Sequence, residues 1–179
     1  MAICFINPLQ TFNDALNAQT TKDRDSLFTL SLNGANGRYG FLDILKNYSG
    51  TKASNIANYS AGMAYLQLNK YKEAITYLDK FNSDDEILSA LALGNIGDAF
   101  SQLKQYKEAL DYYTKAFKKS KNSLTAPIYL KKAGQTAVEL KDYSQAVEYF
   151  EQIKENYTKS EEARTIDIDL SFVKTLINQ

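Results

Sequence analysis

A glycine, a tyrosine nine residues later and an alanine three residues beyond it recur three times in this chain: Gly62, Tyr71, Ala74; Gly97, Tyr106, Ala109; and Gly134, Tyr143, Ala146. The copies are offset by 35 and then 37 residues, the period at which stacked helical pairs repeat. Each glycine sits in a stretch that otherwise reads as helix, where it costs about 0.5 to 1 kcal/mol relative to alanine. Three such costs in one register imply a steric requirement. The missing side chain lets a second helix approach the first, and Ala74, Ala109 and Ala146 keep the second helix small at the contact. Between the two lie short polar turns, Asn69-Lys70, Lys104-Gln105 and Lys141-Asp142, each covered by its tyrosine. The pattern predicts three helical hairpins. It also predicts that Gly97→Leu forces the middle pair apart.

At these residues the chain resembles the tetratricopeptide repeat family. The middle copy reads Leu93, Ile96, Gly97, Phe100, Tyr106, Ala109, Tyr113, Ala116 and follows the family signature at nearly every position. The first copy keeps Gly62, Tyr65, Tyr71 and Ala74 but has Leu78 and Phe81 where an aromatic residue and an alanine are usual. The third keeps Gly134, Tyr143, Ala146 and Phe150, with Ala137 at the first aromatic position. No copy carries the family's tryptophan or its closing proline. Alanine is common in the family at the position of Gly97, so the resemblance implies that Gly97→Ala is mild. The resemblance implies an all-α solenoid of helical hairpins, wound as a right-handed superhelix, with hairpins at about 55-88, 90-123 and 127-160 inside a segment spanning 53-160.

The flanks are read from their own periodicity. Residues 8 to 32 form a degenerate helical pair, with Leu9, Phe12 and Leu16 and then Leu27, Phe28 and Leu30 at helical spacing. Asn33-Gly34-Ala35-Asn36-Gly37 interrupts it with two turn dipeptides and is read as a loop between helices, because its flanks do not alternate. A short helix at about 39 to 48 carries Phe41, Ile44, Leu45 and Tyr48 on one stripe, completing an N-terminal region of residues 1-52. Ser83-Asp84-Asp85-Glu86 reads as a capping box that opens the second repeat, with Ser83 accepting from the first turn and Glu86 reaching back. In residues 161-179, Ile166, Ile168, Leu170 and Phe172 alternate as a strand would, while Ala163, Ile166, Leu170, Val173 and Leu176 follow a helical stripe. A capping helix is expected, since a solenoid must cover the open face of its last hairpin.

Most catalytic chemistry is missing from the chain. There is no histidine, which removes histidine triads, histidine general bases and histidine-containing zinc sites. The single cysteine, Cys4, cannot form an intramolecular disulfide and has no basic partner nearby in sequence. Neither a phosphate loop nor a dinucleotide fingerprint occurs. Asp23 with Asp25, and Asp167 with Asp169, read as solvated surface, and the Asn-Tyr-Ser/Thr triplets at Asn47, Asn58 and Asn156 matter only in a glycosylating compartment. No enzyme activity, metal or cofactor is expected. Twenty-one basic and twenty-one acidic residues cancel, giving no general pull toward nucleic acid or membrane. Six lysines and no acid between Tyr112 and Val138 break that balance locally and are read as a solvated face. No apolar run reaches the roughly 20 residues of a spanning helix, and the Ala2 to Ile6 run is too short for a secretory core. The chain is therefore expected to be cytoplasmic or to follow an upstream targeting segment.

In the family resembled, first helices line a concave groove that holds peptides. By register the groove positions here are Tyr59, Met63 and Leu66 in the first copy, Leu91, Asn95 and Asp98 in the second, and Lys131, Lys132 and Gln135 in the third. This mixture suits a protein or peptide partner with an apolar anchor and an acidic end. The competing reading is that Tyr59, Met63 and Leu66 pack against the N-terminal helices. Asn95 and Lys132 fit the carboxylate-clamping scheme of some members, but Tyr59 and Met63 stand where that scheme needs lysine and asparagine. The order of degenerate pair, Asn-Gly loop, short helix and repeats resembles bacterial cell-envelope members. That resemblance implies a periplasmic or envelope location and a chaperone- or translocon-associated adaptor. The alternative is a structural subunit of an envelope assembly or a homo-oligomer.

Overall fold

Where the three signature glycines lie, two helices touch too closely for a methyl group. The computed structural model describes residues 3–178, with side chains from Pro8 onward, so Cys4 and the Ala2 to Ile6 run fall outside the described side chains. The described residues form α-helices and no strand beyond one isolated bridge, Ala35 to Arg38, in the Asn-Gly loop. The chain divides into two compact units, Met1–Asn82 and Ser83–Gln179.

The first unit holds α1 (Ile3–Leu16), α2 (Thr21–Asn33), α3 (Phe41–Asn47), α4 (Lys52–Gln67) and α5 (Tyr71–Leu78). Its core gathers Ala15, Phe28, Leu32, Phe41 and Ile44 from the first three helices around Ala57, Ala61 and Ala64 of α4. Phe12 meets Phe28 and Phe41 edge-on, at centroid distances of 5.2 and 6.3 Å, a favoured aromatic geometry. The second unit holds α6 (Glu86–Gln102), α7 (Tyr106–Lys119), α8 (Ala126–Glu139), α9 (Tyr143–Asn156), a 3-10 turn at Glu162–Arg164 and α10 (Ile166–Ile177). Its core combines alanines, among them Ala90, Ala109, Ala116, Ala133 and Ala146, with the large rings of Tyr113, Tyr129, Tyr149 and Phe150.

In every hairpin the glycine faces the residue sixteen positions on. A β-carbon on Gly62 would lie 2.5 Å from Leu78, and one on Gly97 would lie 2.7 Å from the Tyr113 ring. Gly134 meets Phe150 in the same way. Even alanine therefore displaces a buried ring at Gly97, contrary to the expectation that it would be mild. A fourth glycine, Gly94, was not singled out in sequence. It lies one turn before Gly97 and receives the Tyr129 ring, again with no room for a β-carbon.

The turns are equally repetitive. Asn69, Lys104 and Lys141 each adopt left-handed backbone, with φ of 58°, 58° and 62°. The next residue's N–H donates to the carbonyl five back: Lys70 to Tyr65, Gln105 to Phe100 and Asp142 to Ala137, all at 2.9 Å. These are Schellman closures with a side chain at the position that glycine usually fills. The start of α6 differs from the expected capping box. Asp85 is the cap, accepting from the Leu88 N–H at 2.9 Å, and Ser83 instead accepts from the Asp85 N–H at 3.1 Å. Asp85 has extended backbone and a side chain that spans to the third helical residue, so the helix starts two positions after the place a Ser83 cap requires.

The C-terminal segment is the expected helix. Ile166, Leu170 and Val173 are buried, whereas Ile168 and Phe172, which the strand pattern would have placed with them, are exposed. Moving a further 37 residues from Gly134 reaches Ser171, which puts α10 in the position of a fourth first helix. In that register Tyr129, Ala133 and Thr136, the arc of α8 that packs on earlier helices, become buried Ile166, Leu170 and Val173. The arc that in α8 meets its own second helix, Leu130, Gly134 and Ala137, becomes Asp167, Ser171 and Lys174, all exposed. That arc is polar on α10 where on α8 it is apolar or small.

Two stability outcomes follow. Gly94→Ala should lower stability by about 1 to 2 kcal/mol in a denaturant melt, because overpacking outweighs the gain in helix propensity; a variant as stable as wild type would refute the contact. Lys141→Gly should raise stability by up to about 1 kcal/mol, by relieving left-handed strain of about 1 to 2 kcal/mol at some entropic cost.

Candidate functional site

The first helices of the second unit, α6, α8 and α10, share one face that carries partly buried charge. At its centre is Asp98 on α6. Its carboxylate accepts from the Lys132 ammonium on α8 at 2.6 and 2.7 Å and from the Tyr113 hydroxyl on α7 at 2.8 Å. Lys132 also lies 5.8 and 6.0 Å from the ring centroids of Tyr113 and Tyr129, which stack with a 16° interplanar angle. One position earlier, Lys131 donates to the Thr165 hydroxyl at 2.8 Å and pairs with Asp169 of α10 at 3.4 Å. Two ion pairs thus bridge α6 to α8 and α8 to α10.

Gly94 accounts for the geometry. By admitting the Tyr129 ring, it draws the start of α8 against the middle of α6 and brings Lys132 within reach of Asp98. Tyr113 seals the pair from beneath. Burial, and then the neighbouring Asp98 carboxylate, push the Tyr113 hydroxyl well above its ordinary value of 10.0. A neutral phenol donating to the carboxylate is the form that this arrangement holds.

The sequence-predicted positions divide between the units. Tyr59, Met63 and Leu66 lie half-buried on α4 in the first unit, and Tyr59 packs on Phe81 of its own repeat at a centroid distance of 5.0 Å. In the second unit, Leu91 packs against the core cluster. Asn95 is half-buried, Gln135 is exposed, and Asp98, Lys131 and Lys132 form the paired network. Both ammonium groups that an acidic-ended ligand would use are paired with carboxylates. Of the lysine run, Lys118, Lys119 and Lys121 are exposed, as a solvated face requires, and exposed Lys115 pairs with Asp111 at 2.7 Å. Gly94, Tyr113, Tyr129, Thr165 and Asp169 were missed as members of the site. The available signals were a second glycine one helical turn before Gly97 and an aspartate 37 residues after Lys132.

Residues 88–159 match a model of the tetratricopeptide repeat, and residues 57–83 match another model with the same description. The chain carries tetratricopeptide repeats. No curated protein matches it. The longer match runs from the first turn of α6 to beyond the end of α9, and the shorter one covers most of α4 and all of α5. The repeats suggest a scaffold for protein-protein interaction. Among the described residues no cluster of acidic or thiol side chains could hold a metal ion, and no described helix is long and apolar enough to cross a membrane.

The Tyr113 contact sets a pH dependence. In the unfolded chain the phenol ionises at about pH 10, whereas the folded chain keeps the proton. Its contribution to stability is therefore complete below about pH 10 and declines above it, because the folded state then binds more protons than the unfolded one. Urea midpoints measured on either side of pH 10 should fall more steeply for wild type than for Tyr113→Phe. Equal slopes would show that the phenol titrates normally.

Proposed function

We propose that the chain is a non-enzymatic scaffold or adaptor that binds a protein or peptide partner on the first-helix face of its second unit. The supporting observation is the placement of partly buried charge there, Asp98 with Lys132 and Lys131 with Asp169, in a unit whose core cluster is built of alanine, aliphatic and aromatic side chains. Ion pairs at such depth contribute little net stability, so their position on one face is better explained by recognition. Asn95 and Gln135 flank the pairs and supply amide donors and acceptors to a partner backbone. The order of the N-terminal elements supports a cell-envelope adaptor that works with a chaperone or translocon.

The test uses side chains outside the ion-pair network. A partner crosslinked in the native host should be captured less well, by about tenfold, when Asn95→Ala is combined with Gln135→Arg, because a few anchors dominate such interfaces. Lys118→Glu with Lys119→Glu, on the second-helix side, should leave capture intact. The reverse result would place the partner on the second helices.

A further inference from the structure

Helix α10 does more than close the fold. In the repeat register, Lys131, Lys132 and Gln135 of α8 correspond to Ile168, Asp169 and Phe172 of α10. The Lys131 to Asp169 ion pair fixes the direction in which that side of α10 points. Ile168 and Phe172, one turn apart and adjacent to Asp169 around the helix, are 72 % and 55 % exposed. Their neighbours Asp167, Ser171 and Thr175 complete a shallow depression around them. The first-helix face therefore changes character along the unit, from ion-paired on α6 and α8 to apolar on α10.

Charge argues for what would cover this step. An acidic segment gains no unpaired ammonium from Lys131 or Lys132, which are satisfied by Asp169 and Asp98, and it would meet the carboxylates of Asp169, held by Lys131, and of Asp167, held by Lys154 at 2.6 Å. A basic segment would have to displace lysines from those carboxylates. A neutral segment pays neither cost. It can cover two large apolar side chains whose exposure is otherwise unfavourable.

We propose that Ile168 and Phe172 form the apolar anchor subsite of the first-helix face, and that its occupant is an uncharged partner segment bearing two large apolar side chains. This rests on the reading of that face as the binding surface. The subsite lies beside the Lys131 to Asp169 pair, which acts as a polar fence and sets how far the apolar residues of the partner extend toward α8.

A random-peptide library displayed on phage and panned against the full chain tests the proposal. Wild type should enrich neutral peptides with paired aliphatic or aromatic residues. Recovery of those peptides should drop by at least about tenfold, or 1.4 kcal/mol, on Ile168→Ser with Phe172→Ser. It should persist on Ile56→Ser, an exposed apolar site of the first unit. Circular dichroism confirms that the double variant remains helical, and Phe172→Leu, which keeps apolar bulk, should restore most of the recovery. An acidic consensus that survives the serine changes but is lost with Asn95→Ala and Gln135→Arg would overturn the apolar subsite and leave the wider face standing. Enrichment independent of both variants, or no enrichment, would overturn the two together. A solution mass that doubles with concentration and reverts on Phe172→Ser would assign the surface to a second copy of the chain and overturn the peptide occupant.

Discussion

Three hairpins depend on one steric fact: a glycine on the first helix leaves no space for a methyl group before the side chain sixteen residues later. Alanine burial alone contributes little, because each methyl removes only a small apolar area from water. The larger contribution comes from Leu78, Tyr113 and Phe150, which are nearly inaccessible and occupy the space the glycines vacate. Gly94 extends the same device between successive hairpins, with Tyr129 as the inserted ring. Interhelical distance is thereby set at four points by what is absent, and side chains elsewhere on the helices are brought into reach of one another.

The Asp98, Lys132 and Tyr113 group is one product of that spacing. None of its members has a special local environment in sequence. Asp98 follows Gly97 inside a helix, Lys132 lies in a lysine pair, and Tyr113 is a repeat aromatic. They meet because Gly97 admits Tyr113 and Gly94 admits Tyr129, so the ion pair and its phenol donor depend on two glycines that contribute no side chain to them. The result is a face whose charges balance locally, matching the overall equality of acids and bases.

Repeat-encoded features were the legible ones. The hairpins, their tight turns and the final helix could be read because periodicity reports which side of a helix is buried. A helix at the C-terminus follows from the need to cover the last hairpin, and the buried set, Ile166, Leu170 and Val173, has helical spacing. The start of α6 was not legible, since Ser83, Asp84 and Asp85 are all competent caps and only backbone geometry selects Asp85. Alanine at Gly97 was misjudged because the family's tolerance at that position says nothing about how far the Tyr113 ring reaches in this chain. The site was legible in position but not in pairing: register finds Asp98, Lys131 and Lys132, whereas the Asp98 to Lys132 contact joins residues more than thirty positions apart and Asp169, the partner of Lys131, lies on the final helix.

The polar arc of α10 also bears on assembly. A solenoid presents at its last helix a surface complementary to its own earlier helices, and an uncovered end of that kind invites other molecules to stack in sequence. Asp167, Ser171 and Lys174 stand where α8 carries Leu130, Gly134 and Ala137 against its own second helix, so a helix seated on that arc of α10 would meet two charges and a hydroxyl instead of the gap that closes the other hairpins.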